Sequence, residues 1–196
     1  MLISPRSYTT VAVAKRLGVS LQTVQRWVDA GHLKAWKTLG GHRRIDATSA
    51  EQLFESQTLA IGVHGPISAA GSGAPEPLRV LVVEDDPAGV AVLTELIRAA
   101  IPGARIEVAA NGFEALVNVG QFSPQLFVAD LHLPHMDGFE MLRSLTAGPV
   151  RPATIVAVSQ LPAAELTQRA RVLPDVHFLA KPLDPEQFIR TVAQAR

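Results

Sequence analysis

The chain has 196 residues, 47% of them apolar and 18% charged, with 18 Lys+Arg against 18 Asp+Glu and no cysteine. That length allows one large domain or two small ones at roughly 100–200 residues each, and the apolar share excludes wholesale disorder. Without cysteine there are no disulfides, thiol nucleophiles or thiolate-bound zinc, and no apolar run nears the roughly 18 residues of a membrane helix. The expectation is a soluble cytoplasmic protein with no membrane partner.

The zero net charge is a cancellation. Residues 1–56 carry eight Lys/Arg against four Asp/Glu, a net of +4, and the remainder carries ten against fourteen, a net of −4. A polyanion is therefore a candidate partner for the small N-terminal part alone. Between the two parts, residues 57–77 include "HGPISAAGSGAPEP", rich in Gly, Pro, Ser and Ala without helical or strand period, which reads as a flexible linker. The expected organisation is 1–56, linker 57–77, and 78–196.

In chain order, Thr9–Leu17 reads as a short helix capped by Thr9 or Thr10, and Gly18-Val19-Ser20 as a tight turn. Ser20 caps a second helix, Leu21–Ala30, with Val24, Trp27 and Val28 as its inner stripe. Leu33–Lys37, Gly40-Gly41 and His42–Ile45 form a basic β-hairpin, and Ser49–Glu55 a closing helix. The second helix presents Gln22, Thr23, Gln25 and Arg26, residue types that reach base edges in a major groove. Lys37, His42, Arg43 and Arg44 flank the hairpin tip, where cations meet phosphates or a minor groove. Trp36 is expected to pack within the hairpin.

These residues carry a resemblance. Val19-Ser20, Thr23-Val24, Arg26-Trp27, Gly31-His32-Leu33 and Gly40-Gly41-His42-Arg43-Arg44-Ile45 resemble the winged helix-turn-helix of the MerR/excisionase type over Tyr8–Phe54. The resemblance implies binding of double-stranded DNA. It departs from MerR-type regulators where a Gly/Pro-rich stretch stands in place of their dimer-forming coiled-coil helix.

From Leu78 onward, short apolar runs alternate with amphipathic stretches. Strands are expected at Arg79–Val83, Arg105–Ala109, Leu126–Ala129, Thr154–Val158 and Val176–Ala180. Helices are expected at Pro87–Ala100, Gly112–Gly120, Gly138–Leu145, Pro162–Val172 and Asp184–Gln194. This is an α/β pattern: a five-stranded, doubly wound parallel sheet whose sites lie at the carboxyl ends of the strands. Those ends carry Glu84-Asp85-Asp86, Asp130, Ser159 and Lys181. Crowded carboxylates invite a hard cation such as Mg2+. Asp130, alone at its strand end, suits a nucleophile towards phosphorus, with Lys181 as counter-cation and Ser159 as a hydroxyl for the arriving phosphoryl group.

"VLVVEDDP", "VADLHLPHMDG", "IVAVSQ" and "FLAKPLD" resemble the flavodoxin-like receiver domain of two-component response regulators over Leu78–Arg196, with intervals of 45 from Asp85 to Asp130, 29 on to Ser159 and 22 on to Lys181. The resemblance implies that Asp130 is the phosphoacceptor and that Glu84, Asp85, Asp130 and the backbone carbonyl of His132 hold Mg2+. It further implies that Ser159 and Phe178 form the switch, that Lys181-Pro182 is cis, and that a sensor histidine kinase is the phosphodonor. Glu84, Ser159 and Gln160 depart from the commonest residues, which are Asp, Thr and a small residue. The combined reading is a non-enzymatic, DNA-binding transcriptional regulator that dimerises on phosphorylation, its two parts tethered rather than mechanically coupled. Two alternatives stay open: a phosphotransfer or interaction module, and a constitutive DNA-binding protein whose inactive receiver serves dimerisation.

Overall fold

The computed structural model describes residues 6–38, 40–62, 76–148 and 150–194. The N-terminal part begins with a short strand, β1 (Ser7–Thr9), too brief to show alternation in the sequence and absent from the expected elements. Helix α1 (Thr10–Leu17) starts where the Thr9 hydroxyl accepts a hydrogen bond from the Ala12 amide at 3.0 Å. It stops at Gly18, whose φ of 69° is the left-handed conformation that glycine tolerates. Ser20 caps α2 (Leu21–Asp29) by accepting from the Thr23 amide at 3.0 Å. Strands β2 (Ala35–Lys37) and β3 (Arg43–Asp46) pair antiparallel, and β1 adds to the far edge in the order β1-β3-β2. Val13, Val24, Trp27, Leu33 and Ile45 are buried beneath this layer.

The next helix, α3 (Ala47–Gly62), is longer than the expected Ser49–Glu55. Residues 57–62, read as linker, are thus helical, whereas 63–75 lie outside the described residues.

The second part alternates β4 (Arg79–Val83), α4 (Pro87–Ala100), β5 (Arg105–Ala109), α5 (Gly112–Phe122), β6 (Leu126–Asp130), α6 (Gly138–Ala147), β7 (Thr154–Ser159), α7 (Ala163–Val172), β8 (Val176–Ala180) and α8 (Pro185–Ala193). The five strands are parallel in the order β5-β4-β6-β7-β8. Strand side chains alternate between faces, so Val80, Val82, Val128 and Val158 pack with Leu93, Ile97, Phe188 and Val192 on one side. Leu81, Val83, Phe127 and Ile155 pack with Leu116, Met141 and Leu142 on the other.

That second layer does not end with the sheet. It runs without a break into the core of the N-terminal part, through α5, against which α3 lies. Trp27 meets Phe113 edge-on with ring centroids 5.2 Å apart, and His32 stacks on the same ring at 4.8 Å. The Ser144 hydroxyl donates to the Leu17 carbonyl at 2.6 Å. The expectation of two merely tethered bodies is therefore corrected. Apolar side chains on the outer face of α5 gain more by burial against α2 and α3 than by exposure to water.

Candidate functional site

The order of the sheet reverses between β4 and β6, which opens a crevice at their carboxyl ends. Asp130 ends β6 there and is 4% exposed. Lys181, just past β8, donates to Asp130 Oδ2 at 2.6 Å, and the His132 amide donates to Asp130 Oδ1 at 2.9 Å. Glu84, past β4, is 3% exposed, and its Oε2 lies 3.6 Å from the same ammonium. Its other oxygen accepts from the Asp86 amide at 3.2 Å. The peptide bond Lys181-Pro182 is cis.

Burial pushes the Glu84 carboxyl above its ordinary range, and the Asp86 amide and the Lys181 charge only partly offset this. For Lys181, burial works against the ammonium. The hydrogen bond and charge of Asp130, with Glu84 behind, outweigh it and hold the pKa above the usual lysine value. The lysine is thus a fixed positive charge shared by two carboxylates.

The donor chemistry around Asp130 is hard oxygen, as Mg2+ requires, and the buried Glu84 Oε2 has no hydrogen-bond partner among the described residues. In these respects the residues fit a cation. The expected convergence of Glu84, Asp85 and Asp130 is nevertheless incomplete. Among the described residues no three Asp, Glu or His side chains form a metal-holding group. Lys181 lies between Glu84 and Asp130, Asp85 is exposed, and the Glu84 side chain lies flat over Gly89. A Cβ on Gly89 would come within 2.6 Å of the Glu84 carboxyl carbon, so that glycine makes room for the carboxylate.

Ser159 ends β7, is buried, and its hydroxyl accepts from the Leu161 amide at 3.1 Å. It borders a cavity of about 280 Å3 also lined by Leu131, His132, Phe139 and Arg169. Phe178 is half-buried and stacks on Phe139 at 5.9 Å, whose ring also carries the Arg169 guanidinium at 4.5 Å.

On the N-terminal part, Gln22, Gln25 and Arg26 are exposed along α2, as are Lys37 and His42 on the hairpin. Arg44 is half-buried. Arg43 is turned back onto α2, donating to Asp29 Oδ1 at 3.0 Å, so it ties the hairpin to the helix rather than projecting freely. Thr23 does not belong to the exposed face. It is 1% exposed, and its hydroxyl donates to Glu140 Oε2 of α6 at 2.6 Å. The helical period alone placed Thr23 beside Gln22, and the neighbour that covers it lies 117 residues away. Trp36 is another departure: opposite Arg44 on β3, it is 36% exposed instead of packed. Phe113, Glu140 and Ser144 were not among the expected site residues. Their one sequence signal is an aromatic and an acid in the first turns of α5 and α6.

Comparison with known proteins assigns a family to each of the two parts. A family model for the response regulator receiver domain matches residues 80–193, and one for a helix-turn-helix domain matches residues 7–58. The chain belongs to the response regulator receiver family. A receiver and a helix-turn-helix in one chain is the composition of a DNA-binding response regulator. A protein-glutamate methylesterase/protein-glutamine glutaminase of Symbiobacterium thermophilum is 36% identical over 106 residues, covering 54% of this chain and 29% of that protein. The transcriptional regulatory protein TrcR of Mycobacterium tuberculosis is 38% identical over 123 residues, covering 58% of this chain and 43% of its own length. The chain thus spans less than half the length of either relative. The structure of a chemotaxis response regulator of Vibrio cholerae, 22% identical, superposes with a TM-score of 0.52 over 61% of this chain and 99% of that one, which shows a shared receiver fold. No helix among the described residues is long and apolar enough to cross a membrane.

Proposed function

We propose that Asp130 accepts a phosphoryl group from a sensor histidine kinase and that this event governs how the helix-turn-helix holds double-stranded DNA in the cytoplasm. The observation that carries the reading is the Lys181 ammonium 2.6 Å from the Asp130 carboxylate, at the sheet crevice and backed by the buried Glu84. An Asp130 oxygen attacks phosphorus, the bond from phosphorus to the donor histidine nitrogen breaks, and the imidazole leaves with that electron pair and takes up a proton. Glu84, Asp85, Asp130 and the His132 carbonyl would hold Mg2+, which when bound supplies positive charge beside the transferring oxygens. Lys181 neutralises the charge that collects there. The Ser159 hydroxyl hydrogen-bonds a phosphoryl oxygen, and Phe178 follows by repacking against Phe139. The phosphorylated receiver then pairs with a second copy through α7, β8 and α8, so that two DNA-binding modules act together. Gln22, Gln25 and Arg26 read base edges in the major groove, and Lys37, His42, Arg43 and Arg44 contact the backbone or minor groove.

The test is incubation with acetyl phosphate and Mg2+, read by intact mass. A phosphoryl adduct on the wild type that is absent from Asp130→Asn is expected. No adduct, or an equal one on the variant, would overturn the phosphorylation reading.

A further inference from the structure

The first turns of α5 and α6 begin with the same local design, an Asn or Asp cap followed three residues later by Glu. In α5 the motif closes on itself. Asn111 Oδ1 accepts from the Glu114 amide, and Glu114 turns back to accept from Asn111 Nδ2 at 3.0 Å and the Ala110 amide at 2.9 Å. This is a variant of the reciprocal capping box, with the amide before the cap and the cap's own side chain as the donors. In α6 only half of it forms. Asp137 Oδ1 accepts from the Glu140 amide at 3.0 Å, but the Glu140 carboxylate leaves its own helix. It reaches the amino end of α2, accepting from the Ser20 amide through Oε1 and from the Thr23 hydroxyl through Oε2.

Glu140 therefore places a negative charge at the start of the helix whose exposed side chains, Gln22, Gln25 and Arg26, face outward for base edges. The amino end of a helix attracts anions, because its amides are unpaired and its dipole is positive there. A DNA phosphate approaching α2 would seek the same donors and would meet a carboxylate already bonded to them. The contact is held on two sides: by Ser144 on the Leu17 carbonyl, one turn further along α6, and by Phe113 under Trp27 and His32.

The same contact also lies close to the phosphoacceptor through packed backbone. A Cβ on Gly138, the first residue of α6, would lie 2.6 Å from the backbone of Leu131, which directly follows Asp130. The start of α6, two positions before Glu140, thus rests on the backbone next to Asp130, with no room for a side chain between them.

We propose that Glu140 is an autoinhibitory latch: a receiver carboxylate that occupies the amino end of the DNA-reading helix and must leave before a DNA phosphate binds there. The proposal rests on the DNA-binding reading above. The full chain is titrated at low salt against a labelled mixed-sequence duplex, as wild type, Glu140→Ala, Glu140→Gln and the control Glu114→Gln. Amide hydrogen exchange over residues 20–27 is followed in parallel. Glu140→Ala should bind on the order of tenfold tighter, the scale of one charge-assisted contact. Glu140→Gln, which keeps an acceptor without the charge, should fall between it and the wild type, Glu114→Gln should match the wild type, and exchange at Ser20 and Thr23 should quicken in Glu140→Ala. The latch is overturned if exchange quickens there while affinity stays at the wild-type value, or if Glu114→Gln tightens binding equally. Absence of duplex binding by every form, with exchange released, would overturn the DNA reading and the latch together, whereas wild-type binding unaltered by Glu140→Ala removes the latch alone.

Discussion

Gly138 offers a perturbation whose sign separates two physical accounts. Its backbone is not in the left-handed region, so only space forbids a side chain. A Cβ built there lies 2.6 Å from both Cα and the carbonyl oxygen of Leu131, against about 3.5–4.0 Å for a relaxed contact between carbons. The obstacle is backbone and cannot swing aside, so α6 or the β6–α6 loop must move by about 1 Å to admit it. Overpacking of this kind costs about 1–3 kcal/mol. Helix propensity alone argues the other way, because Ala in place of Gly returns up to about 1 kcal/mol in a helix interior and less at a first position. The net for Gly138→Ala is a loss of about 1–2 kcal/mol, or about 2–8 °C in Tm for a chain of this size. Thermal unfolding followed by circular dichroism, checked by calorimetry for two-state behaviour, measures it. An unchanged or raised Tm would refute the close approach of α6 to Leu131, and with it the path from Asp130 to Glu140.

Phe113→Ala removes the half-buried ring that holds Trp27 and His32 against α5. It should lower stability by about 2 kcal/mol, roughly half the usual cost of a fully buried Phe, and split one thermal transition into two as the parts uncouple. A single transition at the wild-type temperature would show that the ring contributes nothing to docking. Arg43→Ala breaks a pair whose acid is mostly exposed, so the stability change should stay below about 1 kcal/mol. Affinity for duplex DNA should nevertheless fall, with a shallower dependence on salt. Asp29→Asn, which frees Arg43, should raise affinity in the same titration, and a fall would place Arg43 in a structural role alone.

Local chemistry was legible in the residue order. Caps such as Thr9 and Ser20, and the apolar period of each strand, depend on neighbours within a few positions. Once the five strands are recognised as parallel, their carboxyl ends must share one edge. Asp130, Ser159 and Lys181 therefore group on that edge from the residue order alone. The same logic puts Asp85 on that edge without fixing its surroundings: it is exposed, and Lys181 stands between Glu84 and Asp130.

Tertiary structure alone decided how the two parts meet. Thr23 and Glu140 are ordinary polar residues in their own helices. Only the packing of α5 and α6 against α2 and α3 buries the one and diverts the other from its own cap across the interface. The return of Arg43 to Asp29 and the pairing of β1 with β3 are of the same kind. Periodicity and capping report the few residues on either side of a position, whereas these contacts join segments that the chain order keeps apart.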